Sequence, residues 1–81
     1  MALSANIISL KDGYRHLDDI RMIRLKSDRY NLLIMEDYVP LIGEVRGSIE
    51  FVMKDGTSEK YENTYGYYRH SHNEFSFMME V

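Results

Sequence analysis

Two imidazoles stand in one short segment, Arg69-His70-Ser71-His72-Asn73. On a strand His70 and His72 share a face, the arrangement that lets two ring nitrogens bind one transition metal. Such a site needs a third ligand, and only His16 or a carboxylate from elsewhere in the chain is on offer. The segment is therefore expected to be a surface turn rather than a metal centre. The acidic pairs Asp18-Asp19 and Glu36-Asp37 are the groups suited to acid–base work. Neighbours on a strand point to opposite faces, so neither pair converges on one substrate, and both are expected to be solvated loop or capping residues. Gly43 and Gly47 lack the Lys-Ser/Thr of a phosphate-binding loop, which leaves Gly47 as the mark of a turn or a close strand approach. The serines lie in no nucleophile elbow. No catalytic residue, metal or cofactor is expected, and the chain is not expected to be an enzyme.

Tyrosine is the more informative residue. The chain has seven, and Tyr65, Tyr67 and Tyr68 cluster around Gly66. A rigid apolar ring with a polar tip suits a protein interface. Tyr67 and Tyr68 face opposite ways on a regular strand, so at least one is expected outside the core or at its rim.

The bulk properties agree with a contact surface rather than an active site. Eighty-one residues, 44% hydrophobic and 28% charged, allow one core, and a single domain over residues 1–81 is expected. Cysteine is absent, which fits a reducing compartment. The longest apolar run, Leu32-Leu33-Ile34-Met35, falls far short of the roughly 20 residues that cross a bilayer, and Met1 to Asn6 carry no secretory pattern. A cytoplasmic protein, at most peripheral to a membrane, is expected. The net charge of −3 argues against a nucleic-acid partner. Residues 1–31 carry six basic and four acidic side chains, and residues 32–81 carry four and nine, an asymmetry that can steer a charged protein partner.

Strands must position these residues. Runs of strand character span Leu3 to Leu10, Ile20 to Leu25, Tyr30 to Ile34, Leu41 to Val45, Ser48 to Met53, Glu59 to Tyr68 and Glu74 to Glu80. Ile49, Phe51 and Met53 alternate with Glu50, and Phe75, Phe77 and Met79 alternate with Glu74, Ser76 and Glu80. Tyr61, Tyr65 and Tyr67 are expected on one side of their run, with a tight hairpin at Asp55-Gly56 before it. His16 to Lys26 fits a short helix capped by Asp18 or a strand, and strand is favoured because its surroundings are strands. The expected fold is all-β: an antiparallel sandwich or flattened barrel of about seven to nine short strands.

The order and punctuation of these runs resemble the N-terminal β-sandwich domain of the F-type ATP synthase epsilon subunit. The family's G-I-L-P-x-H-x-P-L stretch corresponds to Leu33 to Leu41, with Ile34, Pro40 and Leu41 retained and Tyr38 at the histidine position. Its Gly-Gly-aromatic strand corresponds to Tyr65-Gly66-Tyr67, and its final Asn-bearing turn to Asn73 before Phe75. The family's C-terminal helical hairpin has no counterpart up to Val81. The resemblance implies a non-catalytic rotor-stalk module. A gamma-like subunit would be gripped by Tyr38, Pro40 and Leu41, and a ring of c-like subunits would be met by the turn holding Asp28, Arg29 and Asn31. The alternative is a diverged stand-alone adaptor or homo-oligomer whose contact surface is the tyrosine-rich strand.

Overall fold

The computed structural model describes residues 2–80; it is 75% strand and has no helix among the described residues. The strands are β1 (Leu3–Ser9), β2 (Gly13–Ser27), β3 (Asn31–Ile34), β4 (Leu41–Met53), β5 (Ser58–Ser71) and β6 (Glu74–Met79). β1, β2, β4, β5 and β6 each pair antiparallel with the next. The ring closes between β6 and β1, which run parallel from Ser4 opposite Glu74 to Ser9 opposite Met79. Parity requires this: five strands alternating in direction leave the first and last pointing the same way. β3 lies outside the ring, paired to β2 alone. The segment from His16 to Lys26 is strand, as expected.

The expected sandwich or flattened barrel of seven to nine short strands is all-β as read, but it is corrected from a sandwich of that many strands to a closed five-stranded barrel with one added strand. The strands are fewer because they are longer, and they are longer because residues that look like stops are bends. Asp19 (φ 56°) is an extra residue in β2: the step from Leu17 to Ile20 opposes only the step from Ala5 to Leu3. Asn63 (φ 53°) does the same in β5, where Tyr61 to Thr64 opposes Ile49 to Gly47. Asp and Asn tolerate left-handed backbone, and such bulges turn a strand around a barrel corner without ending it. Gly47 lies inside β4 rather than between two strands. A Cβ there would collide with the Lys26 carbonyl oxygen on β2, so Gly47 marks a close strand approach.

The alternation expected of the apolar residues holds. Leu3, Ala5, Ile20, Ile23, Leu25, Ile34, Val45, Ile49, Phe51 and Phe75 are fully buried, and Phe77 nearly so. Phe51 sits edge-on to Tyr61 and Phe75 at centroid distances of 6.1 and 6.0 Å, and Tyr68 stacks on Phe75 at 5.5 Å. The hairpin at Asp55-Gly56 also forms: the Asp55 carboxylate accepts the Thr57 hydroxyl at 2.7 Å and the Thr57 N–H at 2.9 Å. These two bonds hold the Asp55 pKa below its ordinary value.

Candidate functional site

The residues singled out through the resemblance flank β3. Asp28, Arg29 and Asn31 are exposed at its start, and Asp28 and Arg29 line a shallow groove that Ser27, Tyr30, Glu44 and Arg46 complete. Tyr30 is drawn inward, its hydroxyl donating to the Glu44 carbonyl and lying 3.1 Å from the Tyr68 hydroxyl. Burial, with Tyr30 adding to it, raises the Tyr68 pKa. Tyr38, Pro40 and Leu41 follow β3. Pro40 is exposed, whereas Tyr38 and Leu41 are half-buried and pack against the core rather than standing free in solvent.

Tyr38 covers His70 instead, ring edge to ring at 6.5 Å, with Phe75 on the imidazole at 6.4 Å. His70 is fully buried, which corrects its expected place in a surface turn, and neither ring nitrogen has a hydrogen-bond partner. His72 lies beyond the strand in the β5–β6 turn, exposed, sharing a 2.9 Å hydrogen bond with Ser71. The two imidazoles do not converge, and among the described residues no three His, Cys, Asp or Glu side chains gather to hold a metal.

Burial pushes the His70 pKa below its ordinary value, because nothing nearby replaces the hydration an imidazolium loses. The unfolded chain takes up this proton near pH 6.5, at roughly the free imidazole value, and the folded chain only at lower pH. The stability contribution is therefore complete above about pH 6.5 and is lost as the pH falls through the window below it. The urea midpoint is expected to drop between about pH 7.5 and pH 5, and to drop less in His70→Phe. An undiminished drop in that variant would place the titrating group elsewhere.

The acidic pairs serve the fold. Asp19 is the bulge residue of β2, and Asp18 lies 2.9 Å from His16 Nε2, whose Nδ1 lies 2.7 Å from Asn6 Oδ1. Asp37 (φ 64°) is locked to Asn73, whose side-chain oxygen accepts the Asp37 N–H at 2.7 Å. Both pairs were expected in loops or caps; Asp18-Asp19 is instead inside a strand.

The tyrosines separate as their alternation implies: Tyr67 is 49% exposed and Tyr68 5%. The Asn63 bulge moves Tyr61 from the shared face expected for it onto the core, half-buried against Phe51. Pairing carries the exposed surface further than the chain order suggests. Tyr67 is opposite Met78, Met78 opposite Ile8, and Ile8 opposite Tyr14. All four are large exposed apolar side chains, so one unbroken row crosses β5, β6, β1 and β2 on the outside of the barrel. Tyr65 borders it, with its hydroxyl donating to Glu44 Oε2 at 2.7 Å, its ring 6.0 Å from Tyr67, and the Arg46 guanidinium 4.6 Å above its own ring. The hydrogen bonds to Tyr67 and Glu44 raise the Tyr65 pKa. Only the tyrosine end of this row carried a signal in the sequence. Ile8, Tyr14 and Met78 join it through pairings between distant segments.

Searches against protein-family models and against curated proteins found no match for this chain.

Proposed function

We propose that this chain is a non-catalytic protein-docking module whose contact surface is the row Tyr14, Ile8, Met78 and Tyr67. The observation that carries this reading is the contiguity of the row: four exposed apolar side chains meet across four strands, with Tyr65 stiffened beside them. Isolated exposed apolar residues are ordinary, but a connected patch rimmed by polar groups is the usual mark of an interaction site. Here the rim is His16, Asn6, Ser76 and Arg69 in the neighbouring row. Tyrosine and methionine suit the role, one rigid and amphipathic, the other adaptable.

The adaptor reading is favoured because this row lies on strands away from the residues that the epsilon-subunit resemblance assigns to contacts. A rotor-stalk module meeting gamma-like and c-ring-like subunits is the second reading, supported by the exposure of Asp28, Arg29, Asn31 and Pro40. The experiment that separates them is in-cell photo-crosslinking from a benzoylphenylalanine at position 67, 29 or 60. A discrete adduct with another protein is expected from position 67 and not from position 60. Met78→Asp is expected to remove it while moving the melting temperature by only a few degrees. An adduct that ignores Met78→Asp overturns the docking row, and one formed from position 29 alone favours the second reading.

A further inference from the structure

His70 lies near the end of β5, where part of its cover comes from a loop instead of a strand. Its fully buried ring has Leu41 opposite on β4 and Phe75 opposite on β6, and the Tyr38 ring lies over it from the β3–β4 loop, residues 35–40. That loop makes no backbone hydrogen bond to a strand among the described residues. Its one backbone bond, Tyr38 N–H to the Met35 carbonyl at 3.2 Å, closes its own turn. A side-chain clip to the β5–β6 turn holds it down: Asn73 Oδ1 accepts the Asp37 N–H at 2.7 Å, and Asn73 Nδ2 donates to the Asp37 carboxylate at 3.2 Å. The exposed Lys54–Glu36 pair at 3.9 Å adds little. Grooves border the loop on both flanks, one with His72 and Asn73 and one with Arg69 and Ser71, which leaves it room to swing.

No charged group faces the imidazole. Tyr38, Leu41 and Phe75 are uncharged, as is Tyr68 on the same inner face of β5, whereas Glu36 and Asp37 on the loop, Arg69 on β5, His72 in its turn and Glu74 on β6 are all exposed. Burial is the one cause that lowers the His70 pKa. An imidazolium here would have neither water nor an acceptor, and lifting Tyr38 supplies water. The closed form therefore binds the proton less tightly than the open form. The open population grows as the pH falls through the window below about pH 6.5 and is lost as the pH rises again.

We propose that the β3–β4 loop is an acid-operated lid: protonation of His70 expels Tyr38 and opens the end of the barrel while the strands stay paired. Opening breaks one ring contact and one clip, whereas unfolding breaks the whole core, so opening comes first as the pH falls. The open form exposes the His70 and Phe75 rings and frees Tyr38. None of the docking-row residues belongs to the lid.

NMR of the intact chain between about pH 7.5 and pH 5 is the test. The ring signals of His70, distinguished from those of the exposed His16 and His72, are expected to titrate together with the amide signals of residues 36–39. Hydrogen-exchange protection at Tyr38 is expected to fall about tenfold over that range, while protection at Phe51 in β4 is unchanged. His70→Phe keeps an aromatic ring in place without the proton, and its lid is expected to stay closed throughout. Opening that persists in His70→Phe would assign it to Glu36, Asp37 or His72 and overturn the proposal. Asn73→Gly keeps the left-handed backbone (φ 62°) but removes the clip. It is expected to make opening about tenfold easier and to raise its midpoint toward about pH 6.5. Three other results overturn the lid: loss of protection throughout the barrel at the pH that releases Tyr38, a His70 titration that leaves residues 36–39 unmoved, or a midpoint that ignores Asn73→Gly.

Discussion

Phe51→Ala is expected to lower the free energy of unfolding by about 3 to 5 kcal/mol, the usual range for removing a fully buried aromatic ring. The ring sits on β4 with none of its surface exposed, edge-on to Tyr61 of β5 and Phe75 of β6. Its loss opens a cavity among three strands, of which β4 at Phe51 and β6 at Phe75 are held by ladder pairing on both sides, so the walls relax inward only in part. A domain of this size has on the order of 5 to 10 kcal/mol in total, which puts the variant near the limit of folding. Urea unfolding followed by circular dichroism is the measurement, and a midpoint close to the parent value would show that the aromatic cluster does not hold the barrel together.

Gly66→Ala is expected to cost about 3 kcal/mol, at the upper end of the usual range for overpacking. The sign is the informative part. Alanine in place of glycine within a strand ordinarily stabilises by roughly 0.5–1 kcal/mol, because the unfolded chain loses freedom. At Gly66 a Cβ would run into the backbone carbonyl of Met78 and come within 2.8 Å of the Phe77 ring. A backbone oxygen cannot swing aside as a side chain can. β6 would have to retreat, and β6 is the strand that closes the ring onto β1. A lowered urea midpoint, with faster amide exchange in β6 than in β3, is the expected result. A raised midpoint would show that the β5–β6 seam has room to spare.

Much of the fold was legible in local patterns. The alternation through Ile49, Phe51 and Met53 and through Phe75, Phe77 and Met79 placed those side chains on the inner face, and the strand reading of His16 to Lys26 was correct. The error lay at the corners. Asp18-Asp19 and Gly47 are polar or glycine steps that equally suit a loop, and whether the chain stops or bends at such a step depends on the strand opposite. The Asn63 bulge misplaced Tyr61 relative to Tyr65 and Tyr67. His70 was assigned to the surface because its neighbours in the chain are polar, whereas its burial is set by Tyr38 and Phe75, which reach it from other segments.

By itself the sequence determined what a two-residue period and turn chemistry encode: an all-β chain, the inward faces of the runs Ile49 to Met53 and Phe75 to Met79, the Asp55-Gly56 hairpin, and the opposite fates of Tyr67 and Tyr68. Those properties depend on residues a few positions apart. Only the tertiary structure decided that the strands close into a ring through a parallel pair, that β3 is left with a bare edge, and that Tyr14, Ile8, Met78 and Tyr67 form one row. Each of these depends on which distant strands share hydrogen bonds and in what register, and a shift of one residue would turn the row inside out.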